Sequence, residues 1–235
     1  MLKKSTNLIL AKSILQPVVI AQRTLSVSEL RIAFGLTKYP QSKCYKELHT
    51  QSHKRFKTTI RSICGLFISF QDESVRLIHQ TAREFLLYNS RSTLKSASDN
   101  SGEGLNDSQI SLTDWEAHVL MARLCVSYLQ FTEFQNVSVS SKNLPAGRVE
   151  RLTRSGHVVP IRGSHSREGF TYAAEYWIMH LGLTIIGADR PINIPIPRPD
   201  MLLADLVYSG ARWVDNGIAN SVLMLLLNMG ADPRN

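Results

Sequence analysis

The sequence has few cysteines and no long apolar run, and both features limit the classes of protein to which it can belong. Its 235 residues include three cysteines, Cys44, Cys64 and Cys125, which are odd in number and far apart. That pattern argues against a disulfide framework and favours a reducing, cytoplasmic compartment. No stretch approaches the ~18 consecutive apolar residues of a membrane-spanning helix, so we expect no membrane association.

Catalytic motifs are also missing. The sequence has no glycine-rich loop ending in Lys-Ser or Lys-Thr that would cradle a nucleotide's phosphates. No Ser-His-Asp, paired-carboxylate or nucleophilic-cysteine arrangement is supported by a surrounding motif. We therefore expect that the chain is not an enzyme and binds no cofactor of its own.

Acidic residues are absent from positions 1–28, as they are from many targeting peptides. Lys12 and the pair Gln16–Pro17 interrupt the apolar core that a signal peptide needs, and no clear small-residue cleavage site follows. We interpret the segment as a first helix that ends near Ala21 and is disturbed at Pro17. A targeting role is the alternative.

Helix start signals are well represented. Ser26 with Glu29 matches a capping box, and Leu25 and Leu30 are spaced as a hydrophobic staple. The pairs Thr81 with Glu84 and Thr113 with Glu116 match the same capping-box pattern. Three further helices are therefore predicted to begin at these points.

A predicted hairpin follows a predicted helix whose apolar face is Phe56, Ile60, Ile63 and Cys64. Residues 66–70 and 75–78 are typical of short strands, joined by a polar turn over 71–74. Three helices followed by a β-hairpin are the order of a winged helix. The sequence thus predicts a mainly α fold with a small sheet.

Composition divides the chain into four parts. We predict a winged-helix domain over 1–89 and a flexible Ser/Asn/Gly-rich linker over 90–111. A helical spacer is predicted over 112–185, with a disordered insertion at about 137–167. Residues 186–235 are predicted to form a connector and a partial, ankyrin-like helix pair.

A basic stretch gives the chain much of its net charge of +8. Residues 38–61 contain seven Lys or Arg side chains and a single acidic one, Glu47. Such a stretch is either a solvated face or a surface for nucleic acid or an acidic partner. The candidate nucleic-acid contacts are Lys54, Arg55, Lys57 and Arg61.

Two groups of histidines are considered as candidate metal or cofactor sites, and neither is predicted to be one. Cys44, His49, His53 and Cys64 are zinc-ligand types, but their order and spacing differ from paired zinc knuckles, so we predict no metal site. His118 and His180 lie in predicted helices beside tryptophans. We interpret both histidines as packing residues.

Four stretches and the tail resemble one family in the right order. ILQPVVIAQRTLSVSELRIAFGL (14–36) and ICGLFISFQDESVRLIHQTAREFLL (63–87) resemble the winged helix that follows the NACHT domain in fungal signal-transduction ATPases. AHVLMARLCVSYL (117–129) and FTYAAEYWIMHL (170–181) resemble that family's helical spacer. The tail LLLNMGADPRN is similar to the end of an ankyrin repeat.

The resemblance implies a regulatory role without catalysis. In that family the histidine at the position of His79 contacts the β-phosphate of ADP, so His79 is the implied cofactor-binding residue once a NACHT domain is supplied. The implied partners are that nucleotide-binding domain and the ligands of ankyrin repeats. The alternative from the residues alone is a DNA-binding winged helix that uses the basic helix over 54–61.

Overall fold

The computed structural model describes residues 2–87, 112–132, 171–187, 193–209 and 215–232. The predicted linker over 90–111 and the predicted insertion at about 137–167 lie outside these ranges. Within them the chain is mainly α-helical with one small antiparallel sheet, as the sequence predicts. None of the helices in the described ranges has the length and apolar character needed to cross a membrane.

The first described range folds as a winged helix, with its helices and strands in the predicted order. The first helix continues through Pro17, which is buried, and ends one residue before Ala21. The elements are α1 (Leu2–Ile20), β1 (Leu25–Ser26), α2 (Val27–Lys38), α3 (His53–Cys64), β2 (Ile68–Gln71), β3 (Ser74–Leu77) and α4 (80–87).

The predicted capping box at the start of α2 is confirmed. The Ser26 hydroxyl accepts the Glu29 N–H at 3.1 Å, and the Glu29 carboxylate accepts the Ser26 N–H at 2.9 Å. Two of the backbone N–H groups near the helix start, which otherwise have no partner, are thereby satisfied. Leu25 and Leu30, the predicted staple residues, are both fully buried.

The sheet has the strand order β1-β3-β2. β2 and β3 form an antiparallel hairpin with Ile68 opposite Leu77, and β1 adds two residues to the other edge of β3. A tight turn at Asp72, whose φ is 55°, joins the hairpin strands. The first strand begins two residues later than predicted, because residues 65–67 form a 3₁₀ turn.

The face of α3 predicted to be apolar is the one that is buried. Phe56, Ile60 and Cys64 are almost completely buried, and the Phe56 ring packs on that of Phe34 with 5.8 Å between centroids. Full burial of each such side chain contributes ~1.5–3 kcal/mol. The opposite face of α3, which carries the predicted nucleic-acid contacts, is thereby directed outward.

Two long helices form the predicted spacer, α5 (Asp114–Leu129) and α6 (Thr171–Ile186). The Thr113 hydroxyl accepts the Glu116 N–H at 3.1 Å, as predicted for the start of α5. α5 buries more than one face, because it packs against α6 and also against α1 and α2 of the winged helix. The winged helix and the spacer therefore share a continuous core.

A helix pair follows, formed by α7 (Pro199–Ser209) and α8 (Asn216–Asn228). α8 ends in a Schellman motif: Gly230, at φ 91°, donates to Leu227 O, and Ala231 donates to Leu226 O. The Asp232 N–H then donates to the Asp200 carboxylate at 2.7 Å, which ties the exit turn to the start of α7. The predicted pair is present, although the first helix had not been located in the sequence.

α8 does not stand alone. Leu226 is fully buried, while Leu223 and Leu227 are partly buried against the core. α8 crosses α6 so closely that a Cβ atom added at Gly182 would collide with the side chain of Ile218. The spacer therefore covers much of the face that an isolated ankyrin-like helix would leave open.

Candidate regulatory site and domain junction

His79 lies between β3 and α4 and caps the helix. Its Nδ1 atom accepts the Thr81 N–H at 3.3 Å and lies 2.9 Å from the Thr81 hydroxyl, while its carbonyl accepts the Ala82 N–H. With Nδ1 accepting, a neutral imidazole carries its proton on Nε2. The exposed ring therefore offers an N–H donor next to a helix N-terminus, where the helix dipole favours anions.

This geometry corrects the capping box predicted for Thr81 and Glu84. The helix begins at residue 80, so Thr81 already lies in its first turn and the residue before the helix is His79. The imidazole Nδ1 occupies the position that a serine or aspartate oxygen would take. The sequence pattern failed here because it considers only the usual capping residue types.

Apolar side chains are exposed on either side of His79 along the chain. Ile78 is 57% exposed and Phe85 is 49% exposed. The Phe85 ring stacks with that of Phe67, with 6.4 Å between centroids. We call Phe67, Ile78 and Phe85 the apolar patch of the winged helix; the Ile78 N–H donates to Phe67 O, and Ile78 directly precedes His79 in the chain.

The predicted nucleic-acid contacts are on α3, but two of the four are engaged with the wing. Lys57 Nζ donates to the Glu73 carboxylate at 2.8 Å, and the resulting ion pair lowers the pKa of Glu73. The Arg61 guanidinium lies 5.1 Å from the centroid of the Phe70 ring. Lys54 and Arg55 are exposed. Half of the predicted basic surface is therefore used within the domain.

The predicted zinc-ligand types do not form a cluster. His53 contacts the Ser28 hydroxyl at 3.0 Å and the Glu73 carboxylate at 3.4 Å. Cys64 is a core residue, as expected, and burial raises the pKa of its thiol to about 12. In the part of the chain that the structure describes, no three His, Cys, Asp or Glu side chains are grouped as metal ligands would be.

A buried polar cluster lies where the winged helix meets α6. Glu29, whose side chain is 4% exposed, accepts two N–H groups from Arg23 at 2.8 and 3.0 Å. The same carboxylate accepts the N–H of Tyr172 at 3.0 Å. Tyr172 lies in the first turn of α6, so Glu29 serves the N-termini of two helices, α2 and α6.

Arg23 completes this junction. Its Nε donates to the Glu175 carboxylate at 2.8 Å, and its guanidinium lies 5.2 Å from the centroid of the Tyr172 ring. Burial alone would raise the pKa of Glu29, but Arg23 and the backbone N–H groups outweigh it and hold that pKa below its ordinary value. Buried charges are stable only when their hydrogen bonds are satisfied in this way.

A chain of hydrogen bonds runs from the junction into the spacer. The Gln22 N–H donates to the Tyr172 hydroxyl at 2.9 Å, and that hydroxyl lies 2.7 Å from His180 Nε2. His180 Nδ1 lies 2.8 Å from His118 Nδ1. A consistent assignment has Tyr172 donating to His180 and His180 donating to His118, with both imidazoles neutral.

Burial explains why the two imidazoles are neutral. Burial, and then the neighbouring His118, lower the pKa of His180 to about 3. Burial is also the main cause of the lowered pKa of His118, which Asp114 partly offsets and Arg83 reinforces. The sequence interpretation of both histidines as packing residues missed this pairing, because it could not show which helix faces meet.

A comparison with known protein families agrees with this fold. Residues 1–97 match the family model described as GPI inositol-deacylase, winged helix domain. The match supports the winged-helix assignment for that part of the chain. Neither the curated proteins nor the solved structures that were searched gave a match to the chain.

Proposed function

We propose that the chain is a non-catalytic regulatory segment that couples the nucleotide state of a NACHT-type domain to partner binding by ankyrin repeats. The observation that carries the proposal is the cap at His79, which leaves an Nε2–H donor exposed at the start of α4. A diphosphate held by a neighbouring domain is an anion that this donor and the helix dipole would favour.

The surroundings of His79 support a docking surface. The apolar patch of Phe67, Ile78 and Phe85 exposes hydrophobic area on the residue before His79 and on α4. An interface with an apolar core and a few placed polar groups is typical of domain contacts. The nucleotide-binding domain is therefore our proposed partner for this face, and the nucleotide belongs to that domain.

The α7–α8 pair supports the other half of the proposal. Its Schellman turn and the Asp232–Asp200 contact close it as a compact hairpin of the kind that stacks in helical repeats. Ankyrin repeats and their ligands are the partners proposed at this end. We propose a cytoplasmic location, which the odd number of cysteines favours.

The test separates the two roles of His79. We would join a NACHT domain to the chain and measure the rate at which labelled ADP dissociates from wild type, His79→Asn and His79→Ala. Asparagine is a good N-cap but lacks the Nε2–H donor. Loss of one hydrogen bond to a charged group should accelerate ADP release ~10-fold or more in both variants.

Two outcomes would contradict the proposal. If His79→Asn releases ADP at the wild-type rate, the residue acts only as a cap. If the chain without a NACHT domain binds ADP tightly, the nucleotide pocket is not supplied by a second domain. A stability measurement on the chain alone should show His79→Ala ~1 kcal/mol less stable from cap loss, with His79→Asn close to wild type.

DNA binding by α3 is the second candidate, and it now rests on Lys54 and Arg55, which are exposed. Lys57 and Arg61 already have partners on the wing, so fewer phosphates could be neutralised than the sequence suggests. A filter-binding titration of the triple variant Lys54→Ala, Arg55→Ala, Lys57→Ala tests it. Binding to DNA should weaken steeply with salt and disappear in this variant.

A further inference from the structure

α4 is attached to the end of α1 by an arginine. Arg83 Nε donates to the carbonyl oxygen of Val19 at 3.0 Å. Val19 lies in the last turn of α1, where carbonyl groups lack partners within the helix and the helix dipole favours a cation. His79 caps α4, and Arg83 lies one turn further along the same helix. A displacement of α4 at its start would therefore also displace the contact between Arg83 and Val19.

The residues that follow Val19 are held by α6. The Gln22 N–H donates to the Tyr172 hydroxyl, and Arg23 donates to Glu175. Both acceptors lie in the first turns of α6. The segment 19–23 is therefore hydrogen-bonded to α4 through Val19 and to α6 through Gln22 and Arg23.

A second connection runs from α4 to α6 by way of α5. The Leu112 N–H donates to Leu86 O at 3.1 Å, which links α4 to the residue just before the cap of α5. The positive charge of Arg83 contributes to the lowered pKa of His118 on α5. His118 in turn contacts His180 of α6. Both connections lead from α4 into α6.

From α6 the contact continues to the helix pair. The crossing of α6 and α8 at Gly182 and Ile218 leaves no room for an additional methyl group. Such close contact transmits displacement because packed interiors have low compressibility. α8 cannot keep its place against a shifted α6 without repacking this crossing.

We propose that the segment 19–23 is a relay through which the position of α4 sets the position of α6 and, through it, of α8. The relay deepens the proposed function, because it names the route from His79 to the ankyrin-like pair. Its mechanical part is a property of the chain alone and needs no nucleotide.

Amide hydrogen exchange on the full chain tests the relay. Arg83→Ala removes the contact with Val19, and Arg76→Ala removes an exposed arginine of the same motif on β3 as the matched control. Loss of one hydrogen bond in the relay should accelerate exchange about fivefold at Gln22, in the first turn of α6 and in α8. Arg76→Ala should leave these rates unchanged.

Titration of His118 by NMR gives a second readout, because comparison of Arg83→Ala with Arg83→Lys separates the loss of charge from the loss of the contact with Val19. Arg83→Ala should raise the pKa of His118, because a nearby positive charge is removed. Arg83→Lys keeps the charge, so the His118 titration should stay near that of wild type while exchange at Gln22 still rises. This second variant also serves if Arg83→Ala does not fold.

The relay is overturned if Arg83→Ala changes exchange only within α4, or if Arg76→Ala produces the same changes in α6 and α8. Neither result depends on ADP. Failure of the His79 experiment would therefore remove the proposed nucleotide role and leave the relay standing. Failure of the exchange experiment would remove the relay, whatever the ADP release rates show.

Discussion

Glu29 of α2 and Tyr172 of α6 are 143 positions apart, yet the Glu29 carboxylate accepts the Tyr172 backbone N–H at 3.0 Å. The same carboxylate completes the capping box of α2 and pairs with Arg23. A single acidic side chain thus fixes the start of two helices and the contact between the winged helix and the spacer.

Glu29→Gln should destabilise the chain by ~2–3 kcal/mol, because the partly buried Arg23 loses one of its two carboxylate partners and a backbone N–H loses its acceptor. Urea unfolding measures the change. The matched control is Glu73→Gln, which breaks the exposed pair with Lys57 and should cost less than ~1 kcal/mol. Equal losses in the two variants would show that the junction does not stabilise the fold.

Stability should fall as the pH falls below ~6.5. His118 and His180 have lowered pKa values in the folded chain. At pH values between these lowered pKa values and the ordinary histidine pKa, the unfolded chain therefore binds more protons than the folded chain. The slope is up to ~1.4 kcal/mol per pH unit for each proton taken up. Glu29, whose pKa is also lowered, contributes stability above its ordinary value of 4.5 that is lost only at lower pH.

Unfolding free energies between pH 6.5 and 4.5 isolate the histidine contribution. His180→Gln keeps one donor and one acceptor for Tyr172 and His118, and should reduce the slope over this range. His49→Asn is the control, since His49 is exposed at φ 45° and asparagine tolerates that backbone. An unchanged slope in His180→Gln would mean that the pair does not control the acid response.

Gly182→Ala should destabilise the chain by ~1–3 kcal/mol, because the added methyl group collides with Ile218 at the crossing of α6 and α8. Ile218→Ala alone should also destabilise, because this partly buried side chain loses its contacts with α6. Combined, the two should cost less than the sum of the single changes, as measured by thermal or urea unfolding. Strict additivity would contradict the close crossing.

Native thiol labelling should modify Cys44 alone. Cys44 is partly exposed, whereas Cys64 and Cys125 are buried and burial raises the pKa of both thiols. A colorimetric disulfide reagent should therefore titrate one thiol in the folded chain and three in denaturant. Rapid reaction of either remaining thiol in the Cys44→Ser variant would show that one of the two buried sites opens locally.

Local patterns in the sequence predicted much of the fold. The capping box at Ser26 and Glu29 is confirmed because its signals lie within four residues of each other. The hairpin was located to within two residues for the same reason. Amphipathic spacing also identified the buried face of α3 from Phe56 to Cys64.

The junction could not be predicted in this way. Periodicity places Glu29 and His180 each on a helix, but it does not show which distant helix each one meets. The contact of Glu29 with Tyr172, and that of His180 with His118, exist only once α5 and α6 have packed. The sequence did contain a signal for these contacts, since Glu29 and His180 are polar residues on otherwise apolar helix faces. Both residues lie where one helix contacts another.

The shared carboxylate also constrains how the sequence can diverge. Because Arg23 lies between Glu29 and Glu175, with a distance of 2.8 Å to each, loss of the arginine leaves two acidic groups close together. A substitution at any one of these three positions should therefore favour compensating substitutions at the other two. In related chains we therefore expect the three to covary as a group, independently of whether His79 is retained.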